Sequence, residues 1–187
     1  MYKELTITGL THPDLTADFG SLTSFTLDND IISQNPDLFE EDYPKLTISV
    51  FPKDLPAIEH LNLRNMVLEQ KFDLSKYYKL KTLDLTGSSV VELILPQTNS
   101  LKSIILPESL EIFEIYNNPG LESVDYSGCT GLKTVYIDCS KCGKFNVQDF
   151  LENVNKSNLV SITIKNINNL NITEEALMEL LNNQCNL

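Results

Sequence analysis

One pattern of apolar and polar positions recurs along the chain about every eleven residues. It has the form leucine-x-x-apolar-x-apolar, in which one residue separates the last two apolar positions. Six copies follow one another at spacings of 10, 11, 9, 11 and 11 residues. They begin at Leu80, Val90, Leu101, Leu110, Leu121 and Leu132. A short period kept over this many copies indicates a stacked repeat architecture.

Each copy predicts a short strand with one buried face. Residues two apart point to the same side of a strand, so the paired apolar residues face inward and the residue between them faces solvent. Turn-forming residues such as Thr86-Gly87-Ser88 separate the copies. Eleven residues are too few for a strand and a crossover helix. Two copies therefore form one coil of about 21 residues, and the coils stack into two parallel ladders.

The spacing also predicts which copies share a ladder. Counting half-turns backwards from Leu132 places alternate copies together, and the 15 residues between Tyr43 and Ile58 then form one half-turn. The predicted ladder contains the segments starting at Tyr2, Leu22, Tyr43, Glu69, Val90, Leu110, Leu132 and Leu159. At a strand spacing of about 4.8 Å, eight turns give a stack on the order of 35 Å long.

Short helices are expected where the strand pattern is interrupted. They are predicted near residues 35–42, 146–155 and 173–183. In the first, Asn35 is a helix cap and Pro36 fits the first helical position. In the second, apolar residues at helical spacing follow Asn146. In the third, acidic residues follow Thr173 in the first turn.

The charge of the chain excludes some classes of partner. The 187 residues include 14 Lys or Arg and 26 Asp or Glu, which gives a net charge of −12 at pH 7. Such an excess of negative charge opposes binding to nucleic acid and to anionic membrane surfaces. No run of 18 apolar residues occurs, and no basic and then apolar signal sequence follows Met1. We therefore expect neither a nucleic-acid partner nor membrane insertion.

Residues 1–187 are expected to form a single repeat domain, because each turn of a repeat array packs only against its neighbours. The pattern begins at Tyr2 with no polar segment ahead of it, and Leu187 stands where another copy could begin. Open solenoid ends expose apolar edges that are usually covered. This predicts a fragment of a longer chain, or end-to-end contacts with neighbouring subunits.

Cys139-x-x-Cys142 is the one motif with the spacing of a metal or redox centre. A zinc site needs two more ligands, and neither histidine of the chain lies near this pair in sequence. Small, apolar cysteines also suit the interior of turns, and this interpretation is preferred. The chain has no glycine-rich phosphate loop and no nucleophile elbow. We therefore expect no enzyme activity, no cofactor and no metal.

The outward residues of the predicted ladder form a candidate partner-binding surface. Its members are Ile94, Ile112, Glu114, Tyr116, Thr134, Tyr136 and Asp138. Apolar and aromatic residues with a charged rim are typical of protein contact sites. The alternative interpretation is that these β-branched and aromatic residues only stabilise packing between strands.

Two segments carry a resemblance to a known family. Leu-Lys-Thr-Leu-Asp-Leu-Thr at 80–86 and Leu-Glu-Ser-Val-Asp-Tyr-Ser at 121–127 resemble the leucine-rich repeats of bacterial surface proteins, the internalin-like and BspA-like adhesins. A weaker likeness is to leucine-rich domains in structural proteins of phages that infect gut Bacteroidetes.

The resemblance implies an α/β leucine-rich-repeat solenoid, a β-dominated right-handed coil with parallel ladders. For function it implies a non-catalytic module that binds a protein or a glycan through its concave strand face, outside the cell or on its surface. The phage likeness implies the alternative, a structural domain of a virion or tail protein. Fold-level analogy supports binding in general and does not choose the ligand.

Overall fold

The computed structural model describes residues 3–8, 21–28, 55–142 and 144–166, together with residues 173, 175, 178 and 179. Within these ranges the protein is β-dominated, with eleven strands in two parallel sheets and the helix α1 at Val147–Asn153. The strands are β1 (Glu4–Thr8), β2 (Ser24–Asp28), β3 (His60–Arg64), β4 (Lys71–Asp73), β5 (Thr82–Asp84), β6 (Glu92–Ile94), β7 (Ser103–Ile105), β8 (Ile112–Ile115), β9 (Ser123–Asp125), β10 (Thr134–Asp138) and β11 (Ser161–Lys165).

The strands divide between the sheets in an alternating way. The first sheet has the order β1-β2-β3-β5-β7-β9, and the second has the order β11-β10-β8-β6-β4. From β4 to β10, each strand therefore lies in the other sheet from the strand before it. Pairs such as Thr82 with Ser103 and Glu92 with Ile112 join residues that are 21 and 20 positions apart. This arrangement is compatible with a coil that carries two strands per turn.

One backbone hydrogen-bond pattern recurs in all nine strand pairs. The carbonyl oxygen of the residue just before a strand accepts two N–H groups from the neighbouring segment of the sheet. One comes from the residue just before the neighbouring strand, and the other from the first residue of that strand. In the first sheet the carbonyl of Lys81 accepts from Lys102 and Ser103, at 2.7 and 3.2 Å. In the second sheet the carbonyl of Glu111 accepts from Lys133 and Thr134, at 2.8 and 2.9 Å. Each strand therefore starts at the same level as its neighbour.

The core lies between the two sheets and is filled by the inward residues of each strand. The largest fully buried side chains include Phe25, Phe113 and Phe150. The helix α1 supplies Phe150, whose ring centroid lies 6.1 Å from that of Phe113 and 5.7 Å from that of Phe145. Within the described ranges β9 is the last strand of the first sheet. The helix α1 follows β10 in the chain and covers this part of the core.

The predicted division into ladders is correct for part of the chain. The segments starting at Glu69, Val90, Leu110, Leu132 and Leu159 form the second sheet, as predicted. The assignment of the segments starting at Tyr2 and Leu22 is wrong, because β1 and β2 lie in the first sheet beside β3.

The error arises from one long interval between paired strands. Thr26 and Asn62, which face each other across β2 and β3, are 36 residues apart. A count that assumes regular half-turns divides these 36 residues into several half-turns. In the structure, however, β2 pairs directly with β3. The segment starting at Tyr43 lies outside the described residues.

The predicted helices have different outcomes. The helix near 146–155 is confirmed as Val147–Asn153, and the side chain of Asn146 accepts the Asp149 N–H at 3.0 Å as its cap. Within 173–183, residues 175, 178 and 179 are helical and residue 173 is not. The predicted helix at 35–42 lies outside the described residues.

Replacement of Gly120 by Ala tests how closely successive turns approach. A Cβ at this position would lie 2.0 Å from the backbone oxygen of Asn99, which belongs to the preceding turn. The backbone must shift to relieve the clash, so Gly120→Ala is expected to lower the free energy of unfolding by about 1–3 kcal/mol. Urea denaturation measures this change.

Gly128→Ala is the matched control. The nearest atom to its added Cβ is the side-chain Cγ of Glu108, at 3.4 Å. We expect a change within about 0.5 kcal/mol, as for ordinary surface substitutions. Equal effects of the two alanines would contradict the close approach at Gly120.

Candidate ligand-binding surface

The outer face of the second sheet carries the residues predicted to bind a partner. Glu114 is exposed, and the other six are partly accessible to solvent: Ile94, Ile112, Tyr116, Thr134, Tyr136 and Asp138. Their neighbours in the strands, such as Leu93, Phe113 and Val135, are buried. The predicted alternation of inward and outward residues is therefore confirmed on this sheet, while binding through the outward residues stays a prediction.

Three of the outer side chains are in contact across three neighbouring strands. Tyr116 directly follows β8, and its ring centroid lies 6.4 Å from that of Tyr136 on β10, with the rings nearly perpendicular. The ammonium of Lys165 on β11 lies 5.3 Å from the centre of the Tyr136 ring. We call Tyr116, Tyr136 and Lys165 the tyrosine row.

The contacts within the tyrosine row also bear on the packing interpretation. An edge-to-face aromatic pair contributes about 0.5–1.5 kcal/mol, and an exposed cation over an aromatic ring contributes about 0.5–1 kcal/mol. The row therefore stabilises the sheet to some extent. Both tyrosines remain accessible to solvent, so they also present aromatic surface to a ligand.

A cleft opens beyond the carboxyl ends of β4, β6 and β8. It has a volume of about 400 Å³. Its lining consists of Ser75, Tyr78, Ile94, Leu95, Gln97, Tyr116 and Asn117. We call it the tyrosine cleft, because Tyr78 and Tyr116 both line it and Tyr78 is 62% exposed. Through Tyr116 the cleft is continuous with the tyrosine row.

Sequence reasoning missed part of this cleft. Tyr78, Gln97 and Asn117 lie in turns, whereas the search for site residues considered only outward positions on strands. One signal was available in the sequence. Tyr78 lies in a turn, outside the repeated apolar pattern, so that pattern gives it no role in the core. The backbone of Asn117 adopts a left-handed conformation, with φ 57°. This conformation sets the direction that the chain takes after β8.

Asp138, one of the predicted site residues, has a structural role. The side chain of Ser140 donates to its Oδ1 at 2.7 Å, that of Asn166 at 2.7 Å, and the Ser140 N–H at 3.0 Å. The hydrogen bonds from the Ser140 and Asn166 side chains, followed by the Ser140 N–H, lower the pKa of this carboxyl. Its oxygen is thus engaged at the end of β10.

The same Asp-x-Ser or Asp-x-Thr arrangement recurs after other strands. The carboxylates of Asp73, Asp84 and Asp125 each accept the N–H of the residue two positions later. The pKa of each of these carboxyls is lowered as well. The motif is visible in the sequence and marks where strands end in both sheets.

The outer face of the first sheet is polar and is largely bonded to itself. His60 shares a hydrogen bond with the Thr82 hydroxyl at 2.9 Å, and the Arg64 Nε donates to Asp84 at 2.6 Å. Burial by itself would raise the pKa of Asp84, but hydrogen bonds from Thr86 and the charge of Arg64 outweigh it and lower the pKa. These groups stabilise the strands rather than face a ligand.

A wider groove of about 810 Å³ lies where β7 and β9 meet α1. Its polar groups also bond to one another. The Tyr126 hydroxyl donates to the backbone and side-chain oxygens of Asp149, at 3.2 and 3.1 Å. Burial, reinforced by Asp149, raises the pKa of Tyr126 to about 12.

The cysteines of the described ranges are buried thiols. Cys129, Cys139 and Cys142 form no disulfide. Burial raises the pKa of Cys129 and of Cys139 to about 12, so both stay protonated at neutral pH. The Cys129 thiol donates to the Pro107 carbonyl at 3.1 Å. Among the residues that the structure describes, no group of three or more His, Cys, Asp or Glu could hold a metal ion.

The fold therefore defines a β-dominated protein with two parallel sheets. No family model, curated protein or solved structure matches the chain. Within the described ranges, no helix is long and apolar enough to cross a membrane. The arrangement of the outer face of the second sheet is the main guide to function.

Asp84 gives a test of the electrostatics of the first sheet. Its folded pKa lies below the unfolded value of about 3.9. The resulting stabilisation is complete well above that value and is lost as the pH falls through the folded pKa. Asp84→Asn should therefore be less stable than the wild type at pH 7, and should lose less stability between pH 5 and pH 2. Urea denaturation at several pH values measures both.

Glu69→Gln is the control, since it removes one negative charge from an exposed position. It should follow the wild-type profile. Parallel profiles for Asp84→Asn and the wild type would show that the contacts of Asp84 do not contribute to the pH dependence.

Proposed function

We propose that the protein is a non-catalytic leucine-rich-repeat module that binds a protein or a glycan through the outer face of its second sheet. In this proposal the chain winds as a right-handed α/β solenoid, and the second sheet forms the concave face. The module acts outside the cell or on its surface, as in the bacterial proteins whose repeats it resembles. The observation that carries the proposal is that the tyrosine row and the tyrosine cleft lie side by side on one face.

The composition of this face supports binding. Tyrosine is enriched at the centre of protein contact sites, and charge is depleted there. Here Tyr78, Tyr116 and Tyr136 are all accessible to solvent, together with Ile94. The carboxylate of Glu114 lies next to Tyr136 in the sheet and supplies charge beside the aromatic surface. The first sheet has no such aromatic group on the strands that the structure describes.

The rigidity of the sheet also supports binding. The tyrosine row stands on three hydrogen-bonded strands, with Thr134 paired to Ile112 on one side and to Ser161 on the other. A surface that is already ordered loses less conformational entropy when it binds. The Lys165 ammonium over the Tyr136 ring restricts that ring further.

The double variant Tyr116→Ser/Tyr136→Ser tests the proposal. A random-peptide library is selected on the immobilised wild-type protein, and the affinity of the enriched peptides for both proteins is measured by biolayer interferometry. We expect the double variant to lose about tenfold or more in affinity, because aromatic residues at the centre of a contact dominate binding energy. The free energy of unfolding should fall by no more than about 1–2.5 kcal/mol, the contribution of the ring pair and the cation contact that the variant removes.

The matched control is Thr26→Ser/Asn62→Ser on the outer face of the first sheet, where the two residues bond to each other. It should keep the binding of the enriched peptides. A large loss of stability in the tyrosine variant with binding intact would favour the packing interpretation and contradict the proposal. Equal affinity of the peptides for the tyrosine variant and for the control variant would contradict the proposal as well.

A second function, as a structural domain of a larger assembly such as a virion or tail, is favoured by the end of the second sheet. Val160 is 84% exposed and lies just before β11, the last strand of this sheet within the described ranges. The inward residues Ile162 and Ile164 are only partly buried, whereas Val135 and Ile137 on β10 are completely buried. An exposed apolar strand at a sheet edge is a template for pairing with another chain.

Light scattering over a hundredfold range of protein concentration tests the assembly function. If β11 contacts a second copy, the mass should rise with concentration, and Val160→Lys should suppress the rise by placing a charge at the edge. Tyr136→Ser should associate like the wild type. A wild-type monomer throughout, or equal association of Val160→Lys, would contradict the assembly function.

A further inference from the structure

We infer that the tyrosine cleft is a binding site for one pyranose ring of a neutral saccharide. This inference rests on the proposed binding function and specifies its ligand at one part of the surface. The apolar face of the sugar would lie against the tyrosine side chains and Ile94, and its hydroxyl groups would bond to the amides of Gln97 and Asn117.

The size of the cleft fits a single ring better than a long chain. Ligand pockets in proteins have volumes of about 300–1,000 Å³, and the tyrosine cleft, at about 400 Å³, lies near the lower limit. Such pockets combine apolar and aromatic walls with a few polar groups that fix orientation. Tyr78, Tyr116 and Ile94 supply the walls, and the amides of Gln97 and Asn117 supply the polar groups.

The charge of the lining selects a neutral ligand. The chain has 26 acidic and 14 basic residues, yet no Asp, Glu, Lys or Arg lines this cleft. An ionic ligand would find no countercharge in the cleft, and an anionic ligand would also be repelled by the net charge of −12. A neutral ligand that is rich in hydroxyl groups avoids both costs.

The amide side chains present complementary hydrogen-bonding groups. The Asn117 Nδ2 donates to the Gln97 Oε1 at 3.1 Å, which holds the two amides side by side. An amide has two N–H donors and a carbonyl acceptor, so the Gln97 Nε2 and the Asn117 Oδ1 remain available among the described residues. Adjacent sugar hydroxyls both donate and accept hydrogen bonds. A pair of them can therefore bond to one donor and one acceptor together.

The residues of the cleft are held in place by the turns that carry them. The Thr98 hydroxyl donates to the Tyr78 carbonyl at 2.7 Å, which ties two successive turns together. The buried Asn118, next to Asn117, donates through Nδ2 to the Pro96 carbonyl at 2.7 Å. The cleft thus exists before a ligand binds, and less entropy is lost on binding.

The groove beside α1 is a contrasting case. Its tyrosine hydroxyl already donates to Asp149, and Asp125 already accepts from Ser127 at 2.6 Å. Its polar groups therefore bond to one another, whereas the amides of the tyrosine cleft keep donors and acceptors for a ligand.

A glycan array carrying neutral and acidic glycans tests the inference with the 187-residue protein. We expect binding to neutral glycans, followed by confirmation with the free glycan in ligand-observed NMR titrations. Asn117→Gly removes the amide while keeping a residue that readily adopts positive φ, and Tyr78→Ala removes one wall. Each should weaken binding about tenfold or more, and the thermal unfolding of Asn117→Gly should stay close to that of the wild type.

The matched control is Thr26→Ser/Asn62→Ser, on the outer face of the first sheet, because neither residue lines the cleft. It should keep both the glycan binding and the binding of the selected peptides. Binding to acidic glycans only, the absence of glycan binding, or equal binding by Asn117→Gly, Tyr78→Ala and the wild type would overturn the inference. If peptides still depend on Tyr136 in those cases, the proposed binding function stands and only the saccharide site fails.

Discussion

The structure depends on the close and regular approach of each strand to the next strand in its sheet. The carbonyl that accepts two N–H groups at the start of every strand pair leaves little freedom in the relative position of the strands. The turns must then pass close to one another as well. Gly120 has no room for a side chain against the preceding turn, and the buried side chains of Asn118 and Cys129 bond to carbonyls of the preceding turn.

This regularity explains how turns and strand ends together form a surface. When strands start at the same level, residues at equal distances from the start form rows across the sheet. Tyr116, just after β8, and Lys165, at the end of β11, therefore share the level of Asp138, two positions beyond Tyr136. Their side chains reach the Tyr136 ring from the strands on either side. The same alignment brings Tyr78, Gln97 and Asn117 to one cleft although they belong to three successive turns.

The sequence was sufficient to predict the features that depend on the repeat itself. For example, Leu93 is buried and Ile94 is partly accessible to solvent, as the two-residue period of a strand predicts. The repeat does not specify the length of an irregular interval such as the one between β2 and β3. For this reason the placement of Leu22 in the second sheet was wrong. The repeat also does not describe turns, where side-chain direction depends on local backbone conformation such as that of Asn117. Tyr78 and Gln97 were missed for this reason.

Within the described ranges the two sheets end at different places, and this affects the proposed binding face. The apolar residues of α1 follow the helical rather than the strand period, so Phe150 fills the core from a helix, and β9 is the last described strand of the first sheet. The second sheet continues to β11, because Thr134 pairs directly with Ser161. Without that additional strand, Lys165 would not lie over Tyr136. Within the described ranges, the pairing of β11 with β10 therefore extends the proposed binding face beyond the point at which α1 follows the strands of the first sheet.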